Sequence, residues 1–293
     1  MNLFVFGLGY SALHFVRRYR DRFDRVAGTV TAAEKASALD EEGIAARVFA
    51  PDRADPHIPD DLADADCLLI SIPTDAAGDP VLARFGDAVA NAPRLRWIGY
   101  LSTVGVYGDH GGAWIDETTP PRPSSARARR RVAAEAAWLA LGARTGKAVQ
   151  VFRLAGIYGP GRNALKNLAD GTAKRIVKPG QVFNRIHVDD IAAALMASIE
   201  RPCRGSIYNV ADDEPASQQD MVAYAAALAG VPPPPEIPFE DANLSPMAVS
   251  FWGANRRVRN RRIREELGVS LRYPTYREGL KALRDQGEGV QAR

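Results

Sequence analysis

Leu3-Phe4-Val5-Phe6-Gly7-Leu8-Gly9-Tyr10-Ser11-Ala12 begins almost at the first residue and runs from an apolar stretch into Gly-x-Gly-x-x-Ala. The run reads as a buried first strand turning tightly into a helix, the arrangement that brings a dinucleotide pyrophosphate onto a helix N-terminus. In this reading Gly7 allows the tight turn, Gly9 lets the backbone approach the phosphates, and Ala12 takes the third, close-packing position. Leu8, Tyr10 and Ser11 complete the cofactor-binding turn. A glycine turn after a strand is common, so the segments that follow must decide what it means.

Outward from this turn, strand and helix patterns alternate. A helix is expected over 11–22, a strand over 25–30, and a helix over 33–43 with Gly43 as its C-cap. A third strand spans 46–49 and is followed by a polar Asp/Pro/Asp segment. Cys67-Leu68-Leu69-Ile70-Ser71-Ile72 is a continuous apolar run, as expected of a parallel strand covered on both faces. A loop over 74–80, a helix to about 92 and a fifth strand over 95–101 complete the first half. The pattern predicts an α/β fold, a Rossmann doubly wound parallel sheet with ligands at the carboxyl ends of its strands. Ile72, at such an end, joins the candidate cofactor contacts.

The second half continues with a long helix over 124–145, a sixth strand over 149–154 and a helix over 191–199. The four prolines 232–235 form a rigid extended connector. The basic run 255–262 reads as a solvated face, since no aromatic residues are interleaved with it as nucleic-acid binding would favour. Length and composition agree with a globular protein that buries its own core. The net charge of +3 gives no general argument for nucleic acid. No apolar run approaches the ~20 residues of a membrane span, and no signal peptide precedes the first strand. Cys67 and Cys203 are far apart and read as reduced, which places the expectation in the cytoplasm.

Six landmarks stand in order along the chain. They are the glycine turn, Leu101-Ser102-Thr103-Val104-Gly105-Val106-Tyr107-Gly108, Phe152-Arg153-Leu154-Ala155-Gly156-Ile157-Tyr158-Gly159-Pro160-Gly161, Arg185-Ile186-His187-Val188-Asp189-Asp190, Tyr208-Asn209-Val210-Ala211-Asp212, and Glu266-Leu267-Gly268 with Glu278-Gly279-Leu280. With them the chain resembles the extended-type short-chain dehydrogenase/reductase superfamily, the group of nucleotide-sugar epimerases and dehydratases. The resemblance implies a dinucleotide-binding domain over 1–160 and roughly 186–211, and a smaller C-terminal substrate lobe from 161–185 and 212–293. It also implies a small-molecule substrate of the nucleotide-sugar kind and a homodimer through the 124–145 helix. His187 with Asp189 and Asp190 could suggest a metal cluster, but the stretch reads as a helix entry capped by Asp190, and no metal is expected.

An NAD-selective site places an acidic side chain about 20 residues past the glycines. Here the second strand leads to Thr31, which carries no charge, with Lys35 one helical turn on. A hydroxyl and a cation suit a 2′-phosphate, so the expected cofactor is NADP, with NAD as the alternative.

The resemblance further implies a tyrosine, and a lysine four residues later, on the helix after the fifth strand, with a hydroxyl residue upstream. The hydroxyl falls on Thr103, with Ser102 adjacent. Anchored on Arg131-Val132-Ala133-Ala134-Glu135, the lysine position holds Arg131 and the tyrosine position Arg127. No tyrosine lies between Tyr107 and Tyr158, and Lys147 is the only lysine there, so another register does not restore the pair. Arg131 can keep a cation at the nicotinamide ribose and its cofactor, but arginine stays protonated and Arg127 cannot act as a general base. The pattern is similar to an atypical branch that lacks the Tyr-x-x-x-Lys pair. Asp79 is the candidate for an aspartate used by that branch and, beside Pro80, also for a helix cap. His110, with Asp109, Asp116 and Glu117, is the remaining proton-carrier candidate. Two readings stay open: an epimerase/dehydratase-like or oxidoreductase-like enzyme with a divergent site, and a non-catalytic dinucleotide sensor.

Overall fold

The computed structural model describes residues 1–289. Its first half runs β1 (Asn2–Phe6), α1 (Tyr10–Arg18), β2 (Arg25–Val30), α2 (Ala33–Glu41), β3 (Ala45–Ala50), β4 (Arg53–Ala54), α3 (Ile58–Ala63), β5 (Cys67–Ile70), α4 (Pro80–Asn91), β6 (Trp97–Thr103), β7 (Trp114–Ile115) and α5 (Ala126–Thr145). The second half adds β8 (Ala148–Leu154), β9 (Gly156–Tyr158), α6 (Ala164–Ala169), β10 (Arg175–Val177), β11 (Arg185–His187), α7 (Val188–Glu200) and β12 (Ser206–Val210). It closes with α8 (Gln218–Ala229), β13 (Glu236–Pro238), α9 (Pro246–Trp252), β14 (Arg257–Val258), α10 (Arg261–Glu265) and α11 (Tyr276–Asp285).

Eight strands form one sheet in the order β12-β8-β6-β5-β1-β2-β3-β4, parallel except for β4 against β3. Because alternate side chains of a strand point to opposite faces, the apolar run of β1 feeds two cores at once. Leu3 and Val5 pack with Phe15 of α1 and Ile191 and Leu195 of α7. Phe4 and Phe6 pack with Leu62 of α3, Phe85 of α4 and Trp138 of α5. The strand order reverses direction between β1 and β5, which opens a crevice beyond their carboxyl ends. This is a Rossmann-type α/β fold.

A separate apolar cluster unites Tyr158, Leu165 of α6, Ala225 of α8, and Tyr276, Leu280 and Leu283 of α11. Val258, Ile263, Leu267, Val269 and Leu271, which the sequence grouped with the smaller lobe, pack instead over the main sheet. The basic run around them is a solvated face only in part, at Arg259 and Arg261. Arg256 donates to Gly108 O at 2.7 Å, Arg257 donates to Gly112 O, and Arg262 donates to Ile207 O at 3.0 Å. These arginines stitch a returning segment onto the sheet edge.

Other local expectations are corrected. The first helix stops at Arg18 and continues only as a 3-10 turn over Arg20–Arg22. The polar stretch after β3 contains β4 and α3, whose Ile58 and Leu62, one helical turn apart, are buried. The cap of α7 is His187, whose Nδ1 accepts from Asp189 N at 3.1 Å. Asp190 is not a cap. Its carboxylate lies inside the first turn and accepts from the backbone N–H groups of Arg272 and Tyr273 at 2.6 and 3.1 Å. Cys67 is buried and Cys203 exposed, and both are free thiols. No helix among the described residues is long and apolar enough to cross a membrane.

Candidate functional site

A cleft of about 990 Å³ opens along the carboxyl ends of β1, β5, β6 and β8. Gly9, Tyr10 and Ser11 form one end and Ser71 adjoins them. Leu101 to Gly105 follow from β6, and Ser124, Ser125, Arg127 and Arg131 from the start of α5. Arg162, Asn163, Asn184, Arg185, Phe251 and Arg256 belong to the segments beyond residue 160.

The glycine turn has the local geometry to receive a pyrophosphate. Gly7 has φ +91°, and its N–H donates to Thr29 Oγ1 at 2.9 Å, while Leu8 N donates to Thr29 O at 2.8 Å. Thr29 thus holds the turn against β2, a role that sequence reasoning missed although a hydroxyl residue late in that strand hinted at it. A Cβ on Gly9 would meet only Gly7 O, at 4.0 Å, so the space above that backbone is open. The N-terminus of α1 has no side-chain cap and no acid in its first turn. Its amides are therefore left for an anion. Ser11 and Ala12 are buried, and Ile72 packs on Gly7, where a Cβ would fall 2.4 Å from Ile72 Cγ2. Tyr10 lies over this end, its hydroxyl donating to Pro160 O at 3.0 Å. Burial pushes that phenol up to about 12, so it stays protonated at neutral pH.

Thr31 is exposed just beyond the end of β2. Lys35 does not point away from the turn: its Nζ donates to Leu8 O at 2.7 Å, which sets a cation beside the cofactor loop.

The hydroxyl candidates separate. Thr103 lines the cleft, with its Oγ1 accepting from Gly105 N at 3.0 Å. Ser102 donates to Glu135, which in turn accepts a bidentate pair from Arg153, with Arg153 Nη2 to Glu135 Oε2 at 2.7 Å. Ser102 is thereby committed to a buried structural network. Arg153, which could have been a surface charge, is 3% exposed and stacks over the Tyr107 ring at 4.7 Å. Arg131 lines the cleft, but its Nη1 donates to the Tyr100 hydroxyl at 2.8 Å and to Leu101 O at 3.1 Å. Arg127, one turn earlier on α5, is exposed and faces the same cleft.

Asp79 caps α4, accepting from Val81 N and Leu82 N at 3.0 Å each, and its other oxygen accepts from Trp138 Nε1. The loop acids and His110 stand outside the cleft lining. His110 N donates to Asn255 O at 3.0 Å, and Asp109 accepts from Asn255 N at 2.7 Å. Asp116 organises its own turn through Thr118. Glu117 accepts from Asn209 N at 2.8 Å, and burial raises its carboxyl. Asn209 also accepts from the Tyr107 hydroxyl at 2.8 Å. These groups tie the loop to the sheet edge. Arg162, Arg185 and Arg256 also line the cleft; Arg185 opens a landmark and Arg256 lies in the basic run, but sequence reasoning assigned none of the three to the site.

Comparison with known proteins bears on the family and the fold. The NAD dependent epimerase/dehydratase family profile matches residues 88–211. Protein YeeZ of Escherichia coli (strain K12) is 28% identical over 281 residues, covering 92% of this chain and 95% of its own. A functionally unknown conserved protein from Silicibacter pomeroyi DSS is 48% identical, with a TM-score of 0.88 over 98% of this chain and 99% of that one. The dTDP-glucose 4,6-dehydratase of Bacillus anthracis str. Ames, solved in complex with NAD, shares the fold at 18% identity, with a TM-score of 0.75 over 98% and 97% of the two chains. Residues 88–211 thus match the NAD dependent epimerase/dehydratase family, and the whole chain shares the Rossmann-type fold of a solved dehydratase.

Proposed function

We propose that the protein binds NADP(H) and acts on a small molecule, of the nucleotide-sugar kind, through an active site that departs from the usual Tyr/Lys chemistry. One observation carries the reading: a single cleft runs from the uncapped start of α1, past Thr103, to the segments beyond residue 160. Gly7, Leu8, Gly9, Tyr10, Ser11, Ala12 and Ile72 would hold the pyrophosphate end of the cofactor, and Thr31 with Lys35 the adenosine ribose and its 2′-phosphate. The cofactor, when bound, supplies hydride transfer. Thr103 would hold the substrate oxygen, and Arg127 and Arg131 would supply fixed positive charge, since neither can take up a proton. The division into a dinucleotide-binding domain and a smaller lobe is part of the same proposal. It is supported by the separate apolar cluster of α6, α8 and α11.

A second reading, a dinucleotide sensor without catalysis, is favoured by the engagement of Arg131 with Tyr100 and of Ser102 with Glu135. Titration with NADPH and NADH, followed by NADPH oxidation against a panel of carbonyl compounds and nucleotide sugars, separates the two. Turnover by the unmodified protein supports the enzyme. Tight NADPH binding without turnover, gained only in Arg127→Tyr/Arg131→Lys, supports the sensor. NADH binding as tightly as NADPH sinks the cofactor assignment.

A further inference from the structure

The charges that line the cleft are all of one sign. Arg127, Arg131, Arg162, Arg185 and Arg256 face it, and no aspartate, glutamate or lysine does so among the described residues. Several arginines elsewhere pair with carboxylates, as Arg25 and Arg47 do with Asp61 and Arg153 with Glu135. None of the five cleft arginines has such an ion pair among the described residues. Their hydrogen-bond acceptors are neutral, namely the Tyr100 hydroxyl and Leu101 O for Arg131, the carbonyls of Phe183, Ala216 and Ser217 for Arg185, and Gly108 O for Arg256. Behind Arg185, Asp212 is 2% exposed. Burial raises its carboxyl well above the usual carboxylate range, opposed by the Arg185 guanidinium. A recess whose lining carries charge of one sign concentrates ligands of the other.

The five divide by position. Arg162 lies 5.7 Å from the Tyr10 ring, beside the glycine turn, where its charge falls on the cofactor end. Arg131 is held against Tyr100. Arg127, on the first turn of α5, has no hydrogen bond or ion pair among the described residues, and Arg256, on the returning segment, keeps a buried Nε without one. Guanidinium forks of this kind select carboxylate or phosphate groups.

We propose that the substrate is a sugar-sized molecule with two separate anionic groups, one received by Arg127 beside Thr103 and the other by Arg256 with Arg185 behind it. The inference rests on the small-molecule reading above and narrows it, with a sugar-sized molecule bearing two separated anions in place of a nucleotide sugar. It places a carboxylate or phosphate at the position where the resemblance would put a catalytic tyrosine, so Arg127 serves recognition rather than proton transfer.

The test is calorimetric titration of glucose 1,6-bisphosphate and glucose 6-phosphate into the NADPH-saturated protein. The bisphosphate should bind at least about tenfold more tightly, as one additional charge-assisted fork supplies. Arg127→Gln should bring the two within about twofold of each other while melting temperature and NADPH affinity stay unchanged. Arg256→Gln should do the same, and Arg256→Lys should retain part of the preference. The proposal is overturned by wild-type affinities within twofold, by no bisphosphate binding at millimolar concentration, or by an Arg127→Gln protein that keeps its preference. Should NADPH itself fail to bind, the cofactor assignment falls, and the same titrations on the protein alone still decide the question of two anions.

Discussion

Arg153 on β8 grips Glu135 on α5 with two guanidinium nitrogens, Nη2 to Oε2 at 2.7 Å, and the two side chains are only 3% and 4% exposed. The pair fastens the long helix to the sheet directly beneath Thr103, with Ser102 as a third member. Removing one partner strands a buried charge, which costs about 3–5 kcal/mol. Glu135→Ala should therefore lower the unfolding free energy in a urea titration by that amount. The double variant Glu135→Leu/Arg153→Met, which removes both charges, should lose less than either single truncation. Equal losses would show that packing, not the stranded charge, sets the cost.

The sheet was legible because its strands announce themselves locally. Leu3 to Phe6 and Cys67 to Ile70 are unbroken apolar runs that only a strand buried on both faces would carry, and β2 was placed to the residue. The segment after β3 was not, because its Asp and Pro residues mask a short helix whose signal is just Ile58 and Leu62. Asp190 was misjudged for a physical reason: its partners, the amides of Arg272 and Tyr273, lie more than 80 positions away in sequence. The same limit governs the site. The glycine turn is contiguous and could be read, whereas Arg162, Arg185 and Arg256 meet Arg127 only when the chain folds.

Acid should weaken the fold through His187. Its ring is 2% exposed between Tyr158 and Tyr273, and its buried Nε2 has no hydrogen-bond partner among the described residues. Burial pushes it down from 6.5 to about 4, with Asp189 opposing and His14, Arg272 and Arg18 adding to the depression. Protonation then favours the unfolded chain. The contribution is complete above about pH 6.5 and is lost as the pH falls through 4, amounting to roughly 3 kcal/mol over that window. His187→Asn keeps an acceptor for Asp189 N but cannot titrate. Denaturant curves at pH 7 and pH 4 should show the variant losing roughly 3 kcal/mol less than the wild type.

Two glycines of the opening turn should fail in different ways. In Gly7→Ala the new Cβ meets Ile72 Cγ2 at 2.4 Å on a backbone with φ +91°, so the protein should be destabilised by about 1–3 kcal/mol. Gly9 has an ordinary φ of −89° and open space around it. Gly9→Ala should fold with an unchanged melting temperature, yet its NADPH dissociation constant should rise at least tenfold, because the methyl group occupies the path by which phosphate approaches the α1 amides. Unaltered NADPH affinity in Gly9→Ala would mean that the turn does not receive the cofactor.

Lys35 bears on which dinucleotide that turn holds. Its ammonium rests 2.7 Å from Leu8 O, close enough to the loop to meet a 2′-phosphate yet bound to a neutral carbonyl, so its charge is not neutralised there. A charge-assisted contact of this kind contributes about 1.5–3 kcal/mol. Lys35→Gln should therefore weaken NADPH about tenfold or more in fluorescence titration and leave NADH within about twofold. Thr31→Asp should shift the balance further, since a carboxylate at the end of β2 repels the phosphate and accepts from the ribose hydroxyls. If Lys35→Gln weakened both cofactors equally, the lysine would be holding the shape of the loop rather than reading the phosphate.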